Sequence, residues 1–167
     1  MMDVFLRPLT LTDANISYKW RNNPEIWKFT PFVPKGAITV EIENDWLSDV
    51  LKRKDEARFA ICLEHSGQYI GNVQLINIRN SEADFHLFIG ETDCWGKGFG
   101  EQALQLMLAY GFAKLQLKRI FLEVNKANAA AMTIYKRQGF KVVDDSKNYI
   151  VLGLTINVYQ KTQKNIA

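Results

Sequence analysis

The sequence predicts a single α/β (α+β) domain over residues 1–167, with a mixed, mostly antiparallel central sheet and the order β-α-α-β-β-β-α-β-α-β-β. Three observations lead there. Apolar residues alternate in seven short segments and recur at helical spacing in four. The breaks between segments are short and polar, with no linker, internal repeat or low-complexity tract. The chain of 167 residues is 47% hydrophobic and 23% charged, which fits one domain with a packed core.

"VFLRPLT" alternates and meets a proline, giving a first strand near residues 3–8. Thr10 and Thr12 are candidate caps for a helix running to Arg21. "NNPEIWKFTPFVPKG" carries Pro24, Pro31, Pro34 and Gly36 and reads as an irregular aromatic loop. Ile38, Ile42, Trp46, Leu47, Val50 and Leu51 then mark a helix near 38–54. "ARFAICLEH", "YIGNVQLINI" and "ADFHLFIG", separated by "SGQ" and "RNSE", read as an antiparallel meander of three strands. Ala103, Leu104, Met107, Leu108, Gly111, Phe112 and Leu115 mark the next helix. "RIFLEV" is a strand, and "NAAAMTIYKRQ" a helix stopped by Gly139. "FKVV" and "YIVLGLTINVY" are expected to close the chain as two strands around "DDSKN".

Composition narrows the function. Twenty-one basic and 18 acidic residues leave +3, without a basic block, which speaks against a nucleic-acid binder. No apolar run is long enough for a bilayer, and "MMDVFLRPLT" does not read as a signal peptide, so no membrane role and a cytoplasmic location are expected. Cys62 and Cys94 lack neighbouring histidines, so neither a metal site nor a disulfide framework is expected.

The stretch "DCWGKGFGEQA" is the informative one. Gly96, Gly98 and Gly100 approach a helix, and each glycine costs backbone entropy unless positive φ or close approach is needed. The first helical turn has unpaired N–H groups and the positive end of the peptide dipoles. Glycines let a phosphate or pyrophosphate reach them, and Lys97 adds a point charge. "GFGEQA" also satisfies a dinucleotide pattern, G-x-G-x-x-A, with Glu123 further on. Its context differs, because the preceding strand is the third of a meander and ends near Gly90. The phosphate-loop signature of nucleotide hydrolases fails, since no Ser or Thr follows the lysine.

"WGKGFG" together with "NAAAMTIYKRQGF", about thirty residues later, resembles the GNAT superfamily of acyl-CoA-dependent N-acyltransferases, and the element order resembles it over nearly the whole chain. Trp95 stands where the family usually has Gln or Arg, a departure shared with its ribosomal-protein and amino-sugar branches. The resemblance implies acetyl-CoA as co-substrate, its pyrophosphate on the amides of Gly96, Lys97, Gly98, Phe99, Gly100 and Glu101, with Trp95 also binding the cofactor. It implies that the strand end at Phe88 and Ile89 pairs with the pantetheine and polarises the thioester carbonyl, that Asn128 contacts the pantetheine, and that Tyr135 protonates the leaving thiolate. Without the resemblance, Tyr135 reads as a core aromatic and Asn128 as a helix cap. Arg137 reaches a CoA phosphate or sits on a solvated face.

The proton acceptor is open. Asp84, His86 and Phe88 share one strand face; His86 is a candidate base, with Asp84 orienting it or holding the substrate ammonium. A satisfied polar pair is the alternative, and water-mediated proton loss is a third reading. Around "YKWRNNPEIWKF", Trp20, Arg21, Trp27 and Phe29 are candidate acceptor-binding residues, although Trp20 and Trp27 also suit simple packing. "WRNNPEI" is similar to openings in acetyltransferases of nucleotide-linked amino sugars and of ribosomal proteins, so the acceptor is a small-molecule or peptide amine. A polyamine follows instead if Glu41, Glu43, Asp45 and Asp49 face the cleft. A non-catalytic acyl-CoA sensor is the reading from another class, and a homodimer through the C-terminal strands is compatible with the pattern.

Overall fold

Alternating β-branched and aromatic residues build seven strands of one sheet in the computed structural model, which describes residues 1–166. The elements are β1 (Val4–Pro8), α1 (Ala14–Arg21), α2 (Pro24–Trp27), α3 (Val40–Val50), β2 (Ala57–Leu63), β3 (Tyr69–Arg79), β4 (Glu82–Ile89), α4 (Phe99–Ala109), β5 (Arg119–Asn125), α5 (Ala129–Arg137), β6 (Lys141–Asp145), β7 (Tyr149–Thr155) and α6 (Ile156–Ile166). The strand order is β1-β2-β3-β4-β5-β7-β6, antiparallel everywhere except between β4 and β5. That matches the predicted mixed, mostly antiparallel sheet.

Two apolar layers cover the sheet. Along β2, Ile61 and Leu63 join a core with Leu104, Met107 and Leu108 of α4, while Ala60 and Cys62 face Trp20, Leu47 and Val50 of α1 and α3. The one-residue alternation of a strand produces this division. The helices obey their own period: Ala14, Ser17 and Trp20 are the buried positions of α1, and Glu43, Leu47 and Val50 those of α3. Each fully buried aliphatic side chain contributes about 1.5–3 kcal/mol.

The β4–β5 pair positions the site. Its parallel ladder covers only Glu82–Asp84 against Arg119–Phe121. Beyond that point β4 stays paired with β3 as far as Ile89, and β5 stays paired with β7 as far as Asn125. The two strands part, and the edge of β4 that faced β5 carries no ladder over Phe85–Ile89.

Two expectations change. "TINVY" does not continue the last strand; it opens α6. The Thr155 hydroxyl accepts from Val158 N–H at 3.3 Å, capping the helix, and Tyr159 stacks on Phe112 with ring centroids 4.7 Å apart. Ile156, Val158 and Tyr159 thus meet the core with helical spacing, which the β-branched run had disguised. The loop after α1 also contains a helical turn, α2, with Pro24 in its first turn and Asn23 capping Glu25 N–H at 3.1 Å. Among the described residues, no helix is long and apolar enough to cross a membrane.

Candidate active site

A cleft of about 690 Å³ runs through the gap between β4 and β5, from the glycine loop to the loop after α1. At the loop end, a 3₁₀ turn (Thr92–Cys94) leads to Trp95, whose indole N–H donates to the Ile89 carbonyl at 2.9 Å. This bond ties the loop to the end of β4. Gly96 and Gly98 have φ of +72° and +81°, and a Cβ added at either would meet nothing within 4 Å. Gly98 is the N-cap of α4 and offers no side chain to the first-turn amides. Gly98, Phe99, Gly100 and Glu101 all line the cleft, and the unpaired amides of a helix's first turn suit an anion. Lys97 is not among the residues lining the cleft. The Glu101 carboxylate accepts from Arg137 at 2.8 and 3.0 Å and from Gln138 at 3.1 Å, tying α4 to α5. Arg137 is thereby committed to Glu101.

Tyr135 stands on α5 beneath the gap. Its ring meets Phe85 and Phe140 edge-on, with centroids 6.4 and 5.8 Å away. Leu87, Gly100, Leu104, Ala131 and Ile134 complete an apolar cavity of about 90 Å³ beside it. Burial pushes the phenol up to about 12, so it is neutral at pH 7. Its hydroxyl makes no hydrogen bond among the described residues, while the ring lines the cleft. Asn128 caps α5 through Oδ1, accepting from Ala131 N–H at 3.2 Å, and also lines the cleft. Phe88 and Ile89 line it from the free edge of β4.

On the opposite face, Arg58, Gln74 and His86 pair in register across β2, β3 and β4. Glu123 lines the cleft from β5, on the far side of the gap. His86 is itself exposed to the cleft; the groups crowding it there hold it below the ordinary histidine value, first by partial loss of solvent and then by the charge of Arg58, against the opposing pull of Asp84 and Glu123. Asp84 does not orient His86 by a hydrogen bond; its carboxylate accepts from Asn77 Nδ2 at 2.8 Å, and the residue is not among those lining the cleft. The neutral imidazole can take a proton, and Glu123 is the lining carboxylate with no ion-pair partner among the described residues.

The acceptor end is aromatic. Trp27 and Phe29 line it; the Trp27 ring lies 4.9 Å from Phe88, and its N–H donates to the Trp20 carbonyl at 2.8 Å. Arg21 lines the cleft over the Trp46 ring, 4.1 Å from its centroid. Trp20 itself is 4% exposed, wedged against Tyr69 and Phe88, with its indole donating to Glu91 at 3.0 Å. It supports the cleft from below and presents no face to it. Glu43, one of the carboxylates that would have marked a polyamine site, is buried against Arg21 and Ser17. Trp46, Arg58, Gln74 and Glu123 join the site without having been singled out as site residues by the sequence. The outward alternation of Arg119, Phe121 and Glu123 in "RIFLEV" held the signal for Glu123.

Known proteins share this architecture. The model of the Acetyltransferase (GNAT) domain matches residues 3–141. Spermidine N(1)-acetyltransferase of Escherichia coli (strain K12) is 32% identical over 141 residues, covering 83% of this chain and 73% of that protein. The uncharacterized N-acetyltransferase p20 of Bacillus licheniformis is 29% identical over 163 residues, covering 92% and 88%. The crystal structure of the Vibrio cholerae spermidine N-acetyltransferase with CoA and spermine has a TM-score of 0.82 at 22% identity, covering 95% of this chain and 98% of that one. Apo FdhC, a nucleotide-linked sugar GNAT, has a TM-score of 0.84 at 18% identity, covering 98% and 93%. The chain belongs to the GNAT family and is an acetyl-CoA-dependent N-acetyltransferase.

Proposed function

We propose that the enzyme acetylates the primary amine of a small molecule, a nucleotide-linked amino sugar in class, by direct attack within a ternary complex. The observation that carries this reading is the gap between β4 and β5, with Tyr135 below it and His86 and Glu123 above it. The amides at Gly96–Glu101 seat the CoA pyrophosphate, and the open edge of β4 at Phe88 and Ile89 lies alongside the pantetheine with Asn128 opposite. Glu123 attracts the acceptor ammonium, and neutral His86 takes one of its protons, leaving a nucleophilic amine. The nitrogen attacks the thioester carbonyl, and the C–N bond forms as the C–S bond breaks. Tyr135 gives its proton to the departing sulfur and regains one from the new amide nitrogen through solvent. Trp27, Phe29 and Arg21 supply the ring-stacking and polar surface for the body of the acceptor.

A polyamine is the second reading, favoured by the 32% identical spermidine acetyltransferase. The ion pairing of the cleft opposes it. Glu25 faces Lys28 at 3.7 Å and Glu101 is held by Arg137, so one unpaired carboxylate remains for a ligand that carries several ammonium groups. Thiol release from acetyl-CoA, measured with amino-sugar nucleotides, polyamines and N-terminal peptides, tests the proposal. Turnover confined to polyamines would overturn the acceptor class. Equal rates for wild type and Tyr135→Phe would remove Tyr135 as the acid.

A further inference from the structure

Trp46 is bracketed by two guanidinium groups. Arg21 lies 4.1 Å from the centroid of its ring and Arg58 lies 5.2 Å away. Both arginines line the cleft and both are largely buried, with side chains 15% and 7% exposed. Each is anchored through Nε alone: Arg21 to Glu43 at 3.1 Å and Arg58 to Glu56 at 2.6 Å. Neither uses its terminal nitrogens in a hydrogen bond among the described residues, and none of those nitrogens is sealed from solvent.

The electrostatics of this arrangement are incomplete. The two ring distances cap the separation of the charges at about 9 Å, roughly one Debye length, so the cations feel each other. Glu56 is shared, because Arg53 also donates to it at 2.9 Å. Arg58 therefore shares its carboxylate with Arg53 and is only partly offset there, while Glu123, unpaired among the described residues, lines the cleft from β5, on the far side of the gap. The Nε anchors and the contact with Trp46 hold both side chains in place before any ligand arrives, so little rotamer entropy is lost on binding. Two fixed donor forks with their free ends in one cleft suit an acceptor with two anionic oxygen clusters.

The geometry points to Arg21 and Arg58 as the receptor for a diphosphate on the acceptor, with Trp46 setting their spacing. This rests on the acceptor assignment above and sharpens it. The acceptor's amine meets Glu123 and His86 at one end, and its diphosphate meets the paired guanidiniums at the other. A polyamine would have to place an ammonium group against this cationic wall.

The test is binding of uridine diphosphate to enzyme already saturated with CoA, so that the glycine loop is filled and cannot supply the signal. Tryptophan fluorescence and calorimetry both report the event. The expected result is saturable binding to wild type that weakens with added salt. Arg21→Lys and Arg58→Lys, which keep the charge but lose the fork, should each weaken it tenfold or more while CoA affinity stays the same. If Arg58→Lys also loses CoA binding, its fold has suffered, and Arg21→Lys alone decides. Absence of uridine diphosphate binding to CoA-saturated wild type would overturn the proposal, as would equal binding by Arg21→Lys. Intact CoA binding and thiol release with an amine that carries no phosphate would then show that the transferase assignment survives while this one falls.

Discussion

Replacing Gly98 by alanine separates what the fold needs from what the ligand needs. The backbone there has φ of +81°, and the added Cβ would touch nothing within 4 Å. The cost to the free protein is therefore the left-handed conformation alone, about 1–2 kcal/mol, or roughly 2–8 °C in Tm for a chain of this size. Gly67, in the turn between β2 and β3, is a matched control, with φ of +71° and no neighbour within 4 Å. Gly67→Ala should lose the same stability. The two variants part company on CoA. A methyl at position 98 stands where the pyrophosphate would meet the first turn of α4, and displacing one charge-assisted hydrogen bond costs about 1.5–3 kcal/mol. CoA affinity measured by calorimetry should therefore fall roughly ten- to a hundred-fold in Gly98→Ala and stay unchanged in Gly67→Ala. Equal CoA affinity in both variants would refute the assignment of this loop to the pyrophosphate.

Other perturbations probe other parts of the structure. Gly90→Ala would drive a Cβ to 2.1 Å from the Trp20 ring, which Tyr69, Phe88 and the bond to Glu91 hold in place, so urea unfolding should show a loss of about 3 kcal/mol. His86 is held below the ordinary histidine value, so the unfolded chain binds the proton first, and this group erodes stability as pH falls below that value. The acid limb of kcat/KM should accordingly lie below the usual histidine range and disappear in His86→Gln. Tyr135, at about 12, behaves oppositely: the unfolded chain loses its proton first, near 10, so this group's contribution is complete below that pH and is lost as pH rises toward 12. Alkaline denaturation should therefore begin at a higher pH in Tyr135→Phe. Thr155→Val removes the hydroxyl that caps α6 and should cost about 1 kcal/mol in thermal unfolding, with acetyl-CoA binding intact.

Local rules carried much of the architecture. The meander, the glycine loop and α5 follow from period, turn chemistry and caps acting over a few residues. The gap between β4 and β5 does not, because nothing in "ADFHLFIG" or "RIFLEV" says where a parallel ladder stops. Tyr135, His86 and Asn128 could be proposed from their local motifs, and all three line the cleft. Trp20 could not be separated from Trp27 by type or spacing; burial distinguishes them. Asp84 follows the alternation of His86 and still faces a different partner, Asn77, because Asn77 takes a positive φ in an irregular stretch of β3. The pairs Arg21–Glu43 and Arg58–Glu56 show the same limit in different ways. The first joins α1 to α3, 22 residues apart, and only the fold brings it together. The second is local, but its bracketing of Trp46 is not.

The early end of the β4–β5 ladder has a consequence for how the molecule lives among other proteins. Unsatisfied strand backbone at the rim of a sheet invites foreign strands and hence aggregation. Here the open stretch lies in the middle of seven strands, in a slot with helix α5 across it. A linear guest that entered the slot would meet those hydrogen-bonding groups, whereas a neighbour's strand finds no sheet rim there to extend. Reactive backbone is thus kept on offer to a linear guest without being advertised to neighbours.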